Sequence, residues 1–110
     1  MQAAQIDALM KMVGGPRDSA LLRFSIGSAL VSAGRSTEAV AHLEQALAWQ
    51  ADYSAAWKLL GRARAESGDA AGAIDAYRHG IAVAEARGDV QAAREMTVFL
   101  RRLEKQQAGG

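Results

Sequence analysis

The sequence predicts an all-α helical repeat, and three observations carry that expectation. Apolar residues recur at helical spacing, glycine-containing breaks punctuate the chain, and several residue types return at one fixed offset. With 110 residues the chain has room for one domain and a modest core. Half of its residues are apolar but only six are aromatic, and alanine is abundant, the composition of closely packed helices.

Composition also removes whole classes of function. Thirteen basic against twelve acidic residues leave a formal charge of +1, too little for a sequence-independent grip on nucleic acid. The absence of cysteine excludes a disulfide scaffold, a thiolate zinc site and a cysteine nucleophile. The opening Met1-Gln-Ala-Ala-Gln-Ile-Asp has neither the basic start nor the apolar run of a signal sequence. No later window approaches the ~20 apolar residues of a membrane span. A cytoplasmic protein without membrane contact is therefore expected.

In the first segment Ile6, Leu9, Met10 and Val13 fall at i, i+3, i+4 and i+7, the stripe of an amphipathic helix. The cluster Gly14-Gly15-Pro16-Arg17-Asp18-Ser19, with the chain's single proline, ends it. Asp18 or Ser19 can cap the next helix with a side-chain oxygen. Further breaks stand at Gly34-Arg35-Ser36, Ala51-Asp52, Gly68-Asp69 and Gly88-Asp89, so five helices follow the leading one. Loops this short leave only antiparallel neighbours.

The breaks belong to a longer period. Gly27 and Gly61, Gly34 and Gly68, Ala39 and Ala73, and Ile26 and Leu60 are each 34 residues apart. The pairs Leu43 and Tyr77, Leu47 and Ile81, and Trp49 and Val83 keep that offset and their apolar character. In Trp57-Lys-Leu-Leu60-Gly61, Gly68-Asp69, Ala73, Tyr77 and Gly80 the chain resembles the tetratricopeptide repeat. Its first unit keeps Ile26-Gly27, Gly34, Ala39, Leu43 and Ala46, but has Arg23 where the family has Trp and Ala51 where it often has Pro. Gly27 and Gly61 are expected to face Ala39 and Ala73, so that two backbones approach closely.

A third unit is half present. Asp89 opens a helix with Ala92, Met96, Phe99 and Leu103 on one stripe, but no Leu-Gly pair follows, and the expectation is a capping helix. The resemblance thus implies a short right-handed solenoid, one tetratricopeptide-like domain over residues 1–110. Its expected parts are a leading helix, repeats at about 19–51 and 52–88, and a capping helix at about 89–106.

Such arrays present a concave face lined by the first helix of each pair, and the resemblance places a peptide-binding groove at Phe24, Ser28 and Val31 and at Lys58, Arg62 and Ala65. Each trio sits at i, i+4 and i+7, on one helical face. The groove is expected to be apolar at one end and basic in the middle. Lys58 and Arg62 would clamp a carboxylate or phosphate, or else stand as ordinary solvated charges. Arg94, Arg101 and Lys105 share a face of the last helix and would extend the basic strip or simply be solvated. The subfamily that captures acidic chaperone tails carries a fixed set of Lys, Asn and Arg. Phe24, Ser28 and Leu59 depart from that set, which argues against this partner.

Other constellations have plainer readings. His42 and His79 lack a converging third ligand and read as rim residues, so no metal is expected. Arg87-Gly88-Asp89 is a helix stop followed by a helix start. Glu66 and Asp69 read as solvent-facing caps, and Gly72, inside a helix, has no explanation at this level. No phosphate loop, zinc-protease helix or serine elbow is present.

The expected function is protein or peptide binding, as an adaptor or assembly module, without catalysis or cofactor. A partner with an acidic group would suit the basic pair. The alternative is a structural role by homo-oligomerisation through Phe24 and Val31 or the last helix, and the chain is expected to be a monomer or a weak homo-oligomer.

Overall fold

The computed structural model describes residues 2–109; Met1 and Gly110, the ends of the two terminal segments read above, lie outside the described residues. Within them the chain forms α1 (Gln2–Met10), α2 (Ala20–Ser32), α3 (Ser36–Trp49), α4 (Ser54–Glu66), α5 (Ala70–Ala86) and α6 (Val90–Gly109), with no strand among the described residues. Each helix packs on the next, and α2 with α4 and α4 with α6 also touch. The second set of contacts arranges the helices in two layers, α2, α4 and α6 forming one of them.

Helix ends follow the sequence closely. Ser19 Oγ accepts the Leu22 N–H at 3.0 Å and caps α2, while Asp18 binds the Arg23 guanidinium and the Gly14 N–H. Gly34, Gly68 and Gly88 take φ of 77°, 85° and 73°, the left-handed region that favours glycine. After each one the next residue donates its N–H to the carbonyl five positions back, Arg35 to Leu30, Asp69 to Arg64 and Asp89 to Ala84, all at 2.8 Å. This closure satisfies carbonyls that the helix end would otherwise leave free.

α1 stops at Met10, and tight turns then bond Met12 to Leu9 and Val13 to Met10. Leaving α geometry shifts the side-chain phase. Ile6 is buried and Leu9, Met12 and Val13 pack on the core, whereas Met10, expected on the buried stripe, is 41% exposed.

The close approaches at the repeat glycines differ from expectation. A Cβ on Gly27 would lie 2.6 Å from Leu43 Cδ2, and one on Gly61 would lie 2.5 Å from Tyr77 Cε1. Each glycine therefore receives a large side chain of the following helix, and the fully buried Ala39 and Ala73 are not its nearest neighbours. Gly80 makes room in the same way for Met96 and Trp57. Gly72, unexplained by sequence, lies directly under the Asp69 carboxylate that caps α5 by accepting its N–H at 2.9 Å. Trp49, paired with Val83 by offset, is 52% exposed, with the Arg23 guanidinium 5.4 Å from its ring centroid. Arg23, which replaces the family's Trp, thus covers an aromatic face by a cation–π contact.

α6 buries Met96 and Ala93 against α5 and half-buries Ala92, Phe99, Leu100 and Leu103. It starts 36 residues after α4, where the array would place the first helix of another pair.

Candidate functional site

The layer α2, α4 and α6 encloses a trough of about 700 Å³. Its walls follow from helical spacing. Phe24 and Ser28 stand one turn apart on α2, Ala55, Lys58, Leu59, Arg62, Ala65 and Glu66 share a broad face of α4, and Phe99 reaches in from α6. Tyr77 closes the floor from α5 by passing over Gly61. Five of the six residues expected in a groove, Phe24, Ser28, Lys58, Arg62 and Ala65, line this trough.

Val31 does not. It is 4% exposed and belongs to the same apolar cluster as Ile6 and Leu30. α2 is flanked by α1 and α4 as well as α3, and this covers a position that helical spacing alone turns toward the groove.

Aromatic contacts hold the two ends. Phe24 lies against Tyr53 with ring centroids 5.0 Å apart, and Tyr77 against Phe99 at 5.7 Å. Burial pushes the Tyr77 phenol up to about 12, so its hydroxyl stays neutral across the physiological range. Beyond Phe24 the trough runs into a polar depression at Ser25, Ser32 and Gln5, and beyond Phe99 it continues to Arg102, Leu103 and Gln106.

The expectation of a basic middle needs correction. Lys58 Nζ donates to Glu95 Oε1 across to α6 at 2.9 Å, and Arg62 Nε donates to Glu66 Oε2 at 2.9 Å. Glu66 is no free cap. Its other oxygen accepts the hydroxyl of the buried Ser36 at 2.5 Å, and this bond together with Arg62 holds its carboxyl below the usual range. Two cations and two carboxylates therefore compensate each other along the rim. Glu95 escaped the sequence reading, and Glu66, read as a solvent-facing cap, was misassigned because Ser36, thirty residues away, is its second partner. For Glu95 only the register of α6 against α4 reveals the contact.

Arg94 and Arg101 stand 36 residues after Lys58 and Ala65 but do not line the trough itself. They line a separate depression with Val90, Thr97, Val98 and Glu85, which shares no residue with the trough, while Lys105 is exposed outside both. The histidines serve packing. The half-buried His42 accepts from Arg23 Nη1 through Nδ1 at 3.3 Å, which assigns its proton to Nε2, and burial and then Arg23 hold its pKa down. His79 stacks on Trp57 with centroids 5.0 Å apart. Among the described residues no group of three or more His, Asp or Glu is placed to hold a metal ion, and no helix is long and apolar enough to cross a membrane.

Paired antiparallel helices repeating along one axis, with an open trough on the layer of first helices, define a helical-repeat fold. The family described as Tetratricopeptide repeat matches residues 30–96. The chain belongs to the tetratricopeptide repeat family. It is 47% identical over 100 residues to the TPR repeat-containing protein PA0015 of Pseudomonas aeruginosa, an alignment that covers 91% of this chain and 95% of that protein. The solution structure of protein BPP2914 from Bordetella parapertussis is similar, with TM-score 0.81 and 40% identity, covering 94% of this chain and 90% of that one. A tetratricopeptide repeat domain protein from Salinibacter ruber shares the fold at TM-score 0.73 and 23% identity, covering 82% and 90%. Members of this family and fold are in general non-catalytic modules of protein–protein interaction or scaffolding.

Proposed function

We propose that the chain is an adaptor or assembly module that receives a short segment of a partner protein in the trough between α2, α4 and α6. One observation carries this reading. Phe24, Leu59, Tyr77 and Phe99 offer an apolar floor open to solvent, with two ion pairs held at its rim. Apolar side chains of the segment would anchor on that floor. The exposed pairs contribute only ~0–1 kcal/mol each, so a carboxylate on the segment exchanges for Glu95 or Glu66 at small cost. The trough therefore favours an apolar segment with an acidic residue over a strongly acidic tail, which would meet two resident carboxylates. Association of two copies through Phe24 and Val31 is disfavoured, because Val31 is buried.

The test is calorimetry with peptides selected on the protein from a random displayed library. The expected result is binding that Leu59→Arg weakens at least tenfold while the helical CD spectrum is unchanged. Peptides that bind the Leu59→Arg variant as well as the original would place the site elsewhere and sink the proposal.

A further inference from the structure

We infer that the hydroxyl of Tyr77 is a specificity-determining hydrogen-bond donor, and that it selects segments with a neutral amide carbonyl between two apolar side chains; this rests on the trough being the site of the partner segment. Buried polar side chains ordinarily find a partner inside the protein. Trp57 Nε1 donates to the Ala51 carbonyl at 2.8 Å and the Ser36 hydroxyl donates to Glu66. Tyr77 is only 4% exposed, yet among the described residues its hydroxyl has no such partner.

The oxygen is not sealed off either. Among the described residues no unpartnered side-chain oxygen is cut off from solvent, and the spaces that Tyr77 lines are the trough and its continuation past Phe99, so the hydroxyl opens there. Packing does not call for it. Leu43 fills the space over Gly27 one repeat earlier without a polar atom, as the Tyr77 ring fills the space over Gly61.

Position and charge select the group it meets. Phe24 and Leu59 supply apolar surface on the trough side, Leu103 supplies it in the continuation, and Tyr77 and Phe99 line both. A segment anchored on both sides therefore carries the link between its two apolar side chains across Tyr77. Burial keeps the phenol neutral, so it offers its proton across the physiological range. Glu66 lines the same two spaces, and its carboxylate is already taken by Ser36 and Arg62. A second carboxylate on this floor would be desolvated and repelled by Glu66, whereas an amide carbonyl accepts the proton without either cost. That carbonyl belongs to the main chain of the segment or to an Asn or Gln side chain, and the acidic residue of the segment stays at the rim.

The experiment titrates the tightest library-selected peptide into the original full chain, Leu59→Arg and Tyr77→Phe. Analogues of that peptide replace one main-chain amide by an ester, or one Asn, Gln, Asp or Glu by Ala. Tyr77→Phe should leave the unfolding midpoint unchanged, because no partner within the chain is lost, and should weaken binding roughly three- to tenfold. One analogue should lose the same factor on the original chain and nothing further on Tyr77→Phe, an ester marking the main chain and an Asn or Gln the side chain. Undiminished binding to Tyr77→Phe, with Leu59→Arg still weakening it, would overturn the role of the hydroxyl and leave the trough as the site. Binding unaffected by Leu59→Arg would remove both. A lowered unfolding midpoint in Tyr77→Phe, a loss additive with every analogue, or coupling to an Asp or Glu instead of a neutral carbonyl would each overturn the inference too.

Discussion

Replacing Gly61 by alanine tests how the two layers fit together. A helix interior gains about 1 kcal/mol when glycine becomes alanine. Here the new Cβ would sit 2.5 Å from Tyr77 Cε1 and 2.7 Å from Cδ1 and Cζ. The ring cannot swing away freely, because it is buried and packs on Phe99 at 5.7 Å. Overpacking of this kind costs about 1–3 kcal/mol, so after the propensity gain Gly61→Ala should still destabilise by about 1 kcal/mol. For a chain of this size that lowers Tm by about 4–8 °C. Urea unfolding followed by CD measures it, and a double-mutant cycle with Tyr77→Ala isolates the cause. Without the ring, the alanine should stabilise by about its full propensity gain. If Gly61→Ala stabilises the original chain as much as it stabilises the Tyr77→Ala background, Tyr77 does not press on Gly61 and the packing argument fails.

Three further outcomes are expected. Gly72→Ala should bring no gain in thermal stability, because its Cβ displaces the Asp69 carboxylate from the cap of α5; a rise in stability of about 1 kcal/mol would refute this. The Asp18 carboxyl is held at about 2, first by its hydrogen bond to Arg23 and then by the Gly14 N–H. Because this pKa is depressed on folding, its contribution is complete above about pH 4 and disappears as pH falls toward 2. A carbon-detected NMR titration should show that midpoint, and Arg23→Ala should raise it; an unchanged midpoint in the variant would sink the assignment. Lys58→Glu, Arg62→Glu should cost little stability, about 0–1 kcal/mol per exposed pair, while facing Glu66 and Glu95 with two more carboxylates. Calorimetry should then show peptides with an acidic residue losing at least tenfold in affinity, and unchanged affinity would remove the rim from the site.

Local signals were the most legible part of the fold. Glycine at the left-handed position, a hydroxyl or carboxylate at the following cap, and apolar stripes each act within one or two turns, so Gly34, Gly68, Gly88 and Ser19 announced their roles. The 34-residue offset announced the pairing of helices as well. It left open which side chain fills the space above Gly27 and Gly61. Leu43 and Tyr77 carry the same offset as Ala39 and Ala73, and spacing cannot separate them. For the trough, the family resemblance supplied the positions on α2 and α4, and helical spacing put each trio on one face.

Sequence by itself determined the six helices, the glycine stops at Gly34, Gly68 and Gly88 and the family, because those depend on short-range backbone chemistry and a repeated pattern. Tertiary structure alone decided the charge of the trough and its membership. Lys58 meets Glu95 only because α6 packs beside α4, Glu66 turns to Ser36 across thirty residues of chain, and Val31 is buried because α1 and α4 flank its helix. These contacts join residues far apart in sequence, and their energies depend on distance and burial, which no local pattern encodes.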